Sequence, residues 1–287
     1  MDKLKICIGT SNFGKNYGLI NKKINILEVK KILNFALKNK IYHLDTAISY
    51  NNLKVMSLTG IDLSKFRIDT KISLKNIRDL RILNLKSFLK KILKRYKLNN
   101  FQTIYFHNFE DIKKKDGIKL FKQLLEIKKE GLIQAIGISL YNTKEIYYLK
   151  KNKINFDTIQ HPLNFFDRRF LTKSIQNYLK KNKIKISVRS VFLQGLLLKE
   201  NKKIPIYFRR WQNYLLKWDK INKTNQNKLN TCLSFIYSIK NIDKVIIGFE
   251  SLDNLKKVIK FKKVKIPSNF TYVDKNFYLP ANWKNKI

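Results

Sequence analysis

The stretch TIYFHNFEDIKKKDGIKLFKQLLEIKKEGLIQAIGIS, residues 103–139, places two short β-like runs on either side of one long amphipathic run. Thr103–His107 and Ala135–Ser139 are the predicted strands, and Ile118–Glu130 is the predicted helix. Gly131 follows that helix at the position where a glycine commonly ends one. The order strand, helix, strand indicates a βα repeat.

The same alternation runs along the whole chain and predicts eight βα units. Strands are predicted at Lys5–Gly9, Tyr42–Asp45, Phe66–Lys71, Thr103–His107, Ala135–Ser139, Thr158–Gln160, Lys185–Ser190 and Lys244–Gly248. Helices are predicted at Ile26–Lys38, Lys54–Leu58, Leu83–Tyr96, Ile118–Glu130, Thr143–Lys151, Leu171–Lys181, Gln226–Ile239 and Leu252–Phe261. Because no Pro/Gly-rich linker divides the 287 residues, we expect an α/β fold, a (β/α)8 TIM barrel forming a single domain over 1–287. Residues 264–287 would form a C-terminal tail that packs on the barrel.

A doubly wound nucleotide-binding fold shows the same alternation and is the structural alternative. That fold carries the spacing G-x-G-x-x-G directly after its first strand. Here the segment is GTSNFGKNYG, with glycines at 9, 14 and 18, and the chain has only nine glycines in total. The spacing therefore favours the barrel.

A formal net charge of +41 raises the possibility of a polyanionic partner. Of the 61 basic residues, nine are Arg and 52 are Lys, and the lysines are spread over nearly every segment. Arginine is the side chain suited to bidentate recognition of phosphates and bases. We therefore expect non-specific adhesion to polyanions at low salt and no specific nucleic-acid partner.

The remaining composition indicates a cytoplasmic protein. Cys7 and Cys232 lie far apart in apolar segments and are predicted to be reduced core thiols. The first residues lack the apolar region of a signal peptide, and no stretch has the roughly 18 apolar residues of a membrane span. No metal site and no membrane partner are predicted.

Polar residues stand at the carboxyl ends of successive predicted strands, the edge at which a barrel collects its functional groups. These residues are Asp45, with Tyr50 five positions later, and Lys71, His107, Ser139 and Gln160. Tyrosine, whose usual pKa is about 10, becomes a usable acid when an ammonium stabilises its phenolate and a carboxylate holds that ammonium. Histidine at the same mouth can orient a substrate oxygen by a hydrogen bond.

Each of these residues also has a structural interpretation when it is taken alone. Asp45 can cap the turn after its strand, and Tyr50 can be a half-buried loop aromatic. Lys71 is one lysine of 52, and His107 beside Phe106 can be a structural histidine. Their arrival together at successive strand ends favours the catalytic interpretation.

Several segments, in order along the chain, resemble the aldo-keto reductase family. They are GTSNFG at Gly9–Gly14, LDTAISYNN at Leu44–Asn52, TK at Thr70–Lys71, YFHN at Tyr105–Asn108, AIGIS at Ala135–Ser139, IQHPLN at Ile159–Asn164, VIIGFES at Val245–Ser251 and the closing LPANW. The resemblance implies hydride transfer between a nicotinamide cofactor, NAD(P)H, and a small-molecule carbonyl. It makes Tyr50 the general acid, tuned by Lys71 and Asp45, with His107 as the fourth catalytic residue.

The resemblance also assigns cofactor-binding positions. Ser139 and Gln160 match the positions that hold the nicotinamide carboxamide. RSVFLQG matches the loop around the pyrophosphate, and GFES opens the helix at the adenosine end. The matching residues are Arg189, Ser190, Phe192, Gln194, Gly195, Gly248, Glu250, Ser251 and Asn254. A helix N-terminus at that end would suit phosphate or ribose oxygens.

Three departures from the family pattern limit what the resemblance implies. Arg189 stands where the family usually stacks an aromatic ring on the nicotinamide; a planar guanidinium can also stack there, but its charge would disfavour the oxidised cofactor. Asn51 replaces a glycine that often follows the tyrosine, which predicts a shift of that loop. Glu250 and Asn254 replace basic or hydroxyl residues that bind the 2′-phosphate of NADP, so the sequence favours NAD(H).

Three functions follow as hypotheses. The first is reduction of an aldehyde, ketone or sugar-like carbonyl, with the aromatic tail lining the pocket or packing on the barrel wall. The tail aromatics are Phe270, Tyr272, Phe277, Tyr278 and Trp283. The second is a cofactor-binding regulatory or scaffold subunit with little turnover. The third is a basic nucleic-acid-associated protein.

Overall fold

The computed structural model describes residues 5–14, 16, 23–267 and 274–283, and its centre is a closed barrel of eight parallel strands. Each strand pairs with its neighbour along the chain, and β8 pairs with β1 to close the barrel. The fold predicted from the sequence is therefore confirmed. The strands are β1 (Ile6–Gly9), β2 (His43–Asp45), β3 (Arg67–Ile72), β4 (Phe101–Phe106), β5 (Ile133–Ser139), β6 (Thr158–Pro162), β7 (Lys185–Arg189) and β8 (Lys244–Gly248).

Helices cover the outside of the barrel and present apolar stripes to it. The helices are α1 (Ile26–Lys38), α2 (Asn52–Ser57), α3 (Leu74–Asp79), α4 (Leu85–Arg95), α5 (Lys115–Lys129), α6 (Thr143–Lys151), α7 (Lys173–Lys181), α8 (Gln212–Ile221), α9 (Asn225–Ser238), α10 (Leu252–Ile259) and α11 (Lys275–Tyr278). In α4, Leu85, Leu89 and Leu93 are buried at the spacing i, i+4, i+8, while lysines occupy much of the remaining surface.

The eight predicted strands all occur, and three helices, α3, α8 and α11, are additional. The short helix α3 begins with a capping box in which Ser73 and Asn76 each accept from the other's backbone N–H. Of the other two additional helices, α8 lies in the long β7–α9 connection and α11 lies in the C-terminal segment. Strand β3 also extends one residue further than predicted, because Ile72 is fully buried and pairs with Phe106 of β4.

The inside of the barrel is polar for much of its depth. Below the strand ends, Lys244 Nζ lies 2.6 Å from Asp69 Oδ2, and Tyr105 shares a 3.0 Å hydrogen bond with the Ser187 hydroxyl. Gly137 of β5 faces the Tyr105 ring so closely that a Cβ would stand 2.3 Å from Tyr105 Cδ1. Glycine is therefore required at this position to admit the tyrosine.

The described part of the C-terminal segment packs through aromatic rings. Phe277 and Trp283 are buried, and both contact Phe208, Trp283 at a ring-centroid distance of 4.8 Å. Phe270 and Tyr272 lie outside the described residues. Both cysteines, Cys7 and Cys232, are buried and unbridged. Within the described ranges, no helix combines the length and the apolar character needed to cross a membrane.

Candidate active site

The carboxyl ends of the strands surround a cavity of about 630 Å³. All four residues predicted to be catalytic and ten of the eleven predicted to bind cofactor line it. The exception is Ser251, whose hydroxyl instead accepts from the Asn254 backbone N–H at 3.3 Å and caps α10. The fold thus places around one cavity nearly all the residues that the sequence analysis had grouped as one site.

A buried ion pair forms part of the lining. Lys71 Nζ donates to Asp45 Oδ2 at 2.5 Å and to the Thr46 carbonyl at 3.1 Å. The side chains of Lys71 and Asp45 are only 5% and 9% exposed, so water screens their attraction little. Because adjacent strands β2 and β3 carry the two residues, the barrel itself fixes the pair.

The same carboxylate also holds Gln160. Gln160 Nε2 donates to Asp45 Oδ1 at 2.8 Å, so Asp45 joins the lysine on one side to the glutamine on the other. Gln160 Oε1 and Ser139 Oγ are buried, and each lacks a hydrogen-bond partner in the described structure. Buried polar atoms are normally paired. One acceptor and one hydroxyl on neighbouring strands fit the NH₂ and C=O of a nicotinamide carboxamide.

Tyr50 reaches the cavity from the loop after β2. It ends the short 3-10 helix Ile48–Tyr50, and its backbone N–H donates to the Ala47 carbonyl at 2.9 Å. Asn51 follows with φ +57° and ψ +20°, the left-handed conformation that glycine and asparagine tolerate best. The exchange of the family's glycine for Asn51 is therefore compatible with this turn.

His107 stands beside Tyr50, with ring centroids 6.0 Å apart and planes at 82°. Burial, followed by the nearby Lys71 ammonium, lowers the pKa of His107 from 6.5 to about 4. The imidazole is therefore neutral at neutral pH. A neutral histidine is a hydrogen-bond donor and acceptor rather than a charged acid.

The loop from Arg189 to Gly195 borders the cavity in a strained conformation. Ser190, Leu193 and Gln194 have φ of +62°, +50° and +53°, and Gly195 has φ of +88°. Left-handed conformations are uncommon for residues other than glycine and concentrate at ligand-binding segments. This loop has the form expected of a segment that wraps a ligand with its backbone.

The N-terminus of α10 borders the adenosine end predicted for the cavity. Leu252 N–H donates to Glu28 Oε1 at 2.6 Å, and Asn254 N–H donates to Ser251 Oγ. Because protein groups already take these two donors, this helix end has fewer N–H groups for an anion than the sequence suggested. Glu250 and Asn254 line the cavity here.

The sequence matches the aldo/keto reductase family over residues 5–275. The chain belongs to this family. Membership implies an oxidoreductase that reduces small carbonyl compounds with NAD(P)H. No curated protein matches the sequence.

Solved structures share the fold at low identity. The aldo-keto reductase AKR11C1 from Bacillus halodurans, solved in a holo form, is 17% identical with a TM-score of 0.69, covering 91% of this chain and 88% of that one. The aldo-keto reductase PA4992 from Pseudomonas aeruginosa is 16% identical with a TM-score of 0.60, covering 89% and 87%. The thermostable aldo-keto reductase Tm1743, solved with the inhibitor epalrestat, is also 16% identical at 0.60, covering 92% and 91%.

This aldo/keto reductase also lines its cavity with residues that the sequence did not single out. Asn12 follows β1, donates to the Phe249 carbonyl at 2.9 Å, and has a buried Oδ1 without a described partner. Tyr141, two residues after the end of β5, also lines the cavity. The strand-end rule that found Asp45 would also have found these two. In the described residues, no group of three or more His, Cys, Asp or Glu side chains could hold a metal ion.

Proposed function

We propose that this protein reduces an aldehyde, ketone or sugar-like carbonyl with NAD(P)H and uses Tyr50 as its proton donor. One observation carries the proposal. The Asp45 carboxylate holds Lys71 and Gln160 at 2.5 and 2.8 Å, in a cavity that Tyr50 and His107 also line. The Asp45 carboxylate therefore positions both the lysine next to the proposed proton donor and the glutamine of the candidate carboxamide site.

Lys71 prepares Tyr50 to give up a proton. Asp45 and the Thr46 carbonyl take two of the three N–H donors of the ammonium, which leaves the third for the cavity. An ammonium held in a water-poor site stabilises the phenolate that remains after proton transfer. Asp45 compensates the cost of burying that ammonium and sets its position.

His107 positions the substrate. Because the imidazole is neutral at neutral pH, it can donate one N–H to the carbonyl oxygen without competing with Tyr50 as the acid. The edge-on arrangement of the two rings places both at the same side of the cavity. One oxygen can then receive a hydrogen bond from His107 and the proton from Tyr50.

The remaining lining would hold the cofactor. Ser139 and Gln160 would bind the carboxamide, the Arg189–Gly195 loop the pyrophosphate, and the segment that leads into α10 the adenosine end. When bound, the reduced nicotinamide supplies the hydride that reaches the carbonyl carbon. The two buried cysteines, which are unbridged, suit a reducing compartment, and a cytoplasmic location forms part of the proposal.

The proposed cofactor is NAD(H) rather than NADP(H). Glu250 lines the adenosine end, where a carboxylate repels a 2′-phosphate and accepts from a free ribose hydroxyl. Two exposed lysines that line the cavity are paired within the protein. Lys257 lies 2.7 Å from Asp253, and Lys203 lies 3.1 Å from Glu200.

A turnover assay with Tyr50→Phe tests the catalytic role. We expect the wild type to oxidise NADH with members of an aldehyde, ketone and sugar panel, and Tyr50→Phe to lose about 10² to 10⁴ in kcat. Tyr147→Phe, an exposed tyrosine on α6, is the matched control and should keep full activity. Equal, residual oxidation by wild type and Tyr50→Phe would contradict the enzyme proposal and favour a regulatory subunit.

Cofactor preference has its own test in the quenching of tryptophan fluorescence by NADH and NADPH. We expect the wild type to bind NADH more tightly, and Glu250→Lys to shift the preference toward NADPH. Glu250→Gln separates charge from size, since it removes the repulsion and keeps the shape. Tighter binding of NADPH by the wild type would refute the NAD(H) assignment.

A further inference from the structure

Arg189 is fixed beside the candidate carboxamide site. It ends β7 and pairs in register with Pro162, two residues beyond Gln160 on β6. Its Nη2 donates to the Leu140 carbonyl at 3.2 Å, and its guanidinium carbon lies 4.1 Å from the centre of the Tyr141 ring. A hydrogen bond in one direction and a cation–π contact in another restrict the guanidinium to one position.

Tyr141 is itself held on both sides of its backbone. Its N–H donates to Glu145 Oε2 at 2.7 Å, and its carbonyl accepts from Arg169 Nη1 at 3.0 Å. Arg169 is in turn fixed by two bonds of 2.8 and 2.9 Å to the fully buried Asp167. The ring that faces Arg189 is therefore attached to an anchored backbone.

The charge of Arg189 is not balanced by a carboxylate. Among the residues that the structure describes, Arg189 makes no ion pair, in contrast to Lys71 and Lys244 inside the barrel. The Leu140 carbonyl and the Tyr141 ring offer only partial negative charge. Burial and then Lys71 lower the pKa of His107 most, and Arg189, which lines the same cavity, lowers it further.

We propose that the Arg189–Tyr141 pair makes this protein bind reduced nicotinamide cofactor in preference to oxidised cofactor. The inference rests on the proposed function. A nicotinamide whose carboxamide is held by Ser139 and Gln160 has its ring in the cavity that Arg189 lines. The oxidised ring carries a positive charge and the reduced ring is neutral, so the fixed guanidinium repels only the oxidised form. Tyr141 is a positioning residue that keeps the guanidinium in place.

The pair would favour carbonyl reduction over alcohol oxidation. Reduced cofactor would be captured readily, and oxidised cofactor would leave a site that repels it. The preference is a ratio of two affinities, and interactions common to both cofactor forms cancel from it. The ratio therefore reports the charge effect separately from general damage to the binding site.

Calorimetric titration of NADH and NAD⁺ into the full chain tests the inference. We expect the ratio of the NAD⁺ to the NADH dissociation constant to fall about tenfold, or about 1.4 kcal/mol, in Arg189→Met. Arg189→Lys keeps the charge and should keep most of the ratio. Tyr141→Ala should lower the ratio partway, whereas Tyr141→Phe, which keeps the ring, should leave it within about twofold.

The outcomes separate this inference from the function on which it rests. If Arg189→Met changes both dissociation constants by the same factor, the inference is overturned and the reductase proposal stands. Arg189→Gln is a second uncharged variant, to be used should Arg189→Met fail to fold. A wild type that binds neither cofactor would overturn both proposals.

Discussion

Replacing Lys244 by methionine should destabilise the barrel strongly, although this residue lies outside the cavity lining. Lys244 begins β8, and its ammonium lies 2.6 Å from Asp69 Oδ2 inside the barrel. The Asp69 side chain is fully buried, and that of Lys244 is 13% exposed. Lys244→Met keeps the length of the side chain and removes the charge. The variant therefore leaves the Asp69 carboxylate buried without its cation.

The magnitude follows from the burial of the pair. Removing one partner of a buried ion pair costs about 3 to 5 kcal/mol in the free energy of unfolding. For a chain of this size, at roughly 2 to 3 °C per kcal/mol, Tm should fall by about 6 to 15 °C. The exposed pair Lys86–Glu130, with side chains 44% and 40% exposed, is the control. Lys86→Met should cost less than about 1 kcal/mol.

The effect should also depend on pH. Burial is the largest influence on Asp69 and raises its pKa, while Lys244 opposes that rise. Without Lys244 the folded-state pKa of Asp69 rises further above its unfolded value. The penalty for the ionised carboxylate is then fully present above the raised pKa and disappears as pH falls through it. Wild type and Lys244→Met should therefore differ more at pH 8 than at pH 5.

Urea unfolding followed by circular dichroism measures both effects. The double variant Asp69→Asn with Lys244→Met buries no charge and should recover most of the lost stability. Two results would refute the reasoning. One is a loss in Lys244→Met no larger than in Lys86→Met, and the other is a double variant no more stable than Lys244→Met alone.

Two further predictions concern protons and surface charge. The pKa values of His43, His107 and His161 are lowered from 6.5 to about 4, chiefly by burial, so the unfolded chain binds protons that the folded chain does not. The free energy of unfolding should therefore decline between about pH 6.5 and about pH 4, and urea titrations should show a shallower decline in His161→Phe; an unchanged slope would contradict this. Binding of duplex DNA should vanish by about 150 mM salt in a filter assay, since the lysines are dispersed; affinity that survives there would restore nucleic acid as a partner.

Local patterns were sufficient to predict the fold because every βα unit carries its own signal. Strand β8 and helices α1 and α6 have the bounds that the sequence indicated. The helix α3 was not predicted, because its six residues are too short for a helical period and its capping box is the main signal. Helix α8 was not predicted either, because it lies in the long β7–α9 connection and neither directly follows nor directly precedes a strand.

The sequence could predict those cavity residues that lie at or just after the carboxyl ends of strands. Asp45, Lys71 and His107 could be placed because Asp45 closes β2, Lys71 is the last residue but one of β3, and His107 follows β4. The bond from Gln160 to Asp45 could not be predicted, since it joins residues 115 positions apart and depends on side-chain direction inside the closed barrel. The contact between Arg189 and Tyr141 depends likewise on how the end of β7 meets the loop after β5.

The formal charge of +41 and the chemistry of the cavity are largely independent. Exposed lysines act through water and salt, where a charge is screened over about 10 Å at 0.1 M ionic strength. Inside the barrel, each of the lysines Lys71 and Lys244 has its own aspartate at 2.5 or 2.6 Å, so the interior adds no net charge from these pairs. Arg189 and Lys199 also line the cavity, and the described residues provide no such partner for either of them. The electrostatic character around Asp45 and Arg189 therefore depends on these few buried contacts more than on the dispersed surface lysines.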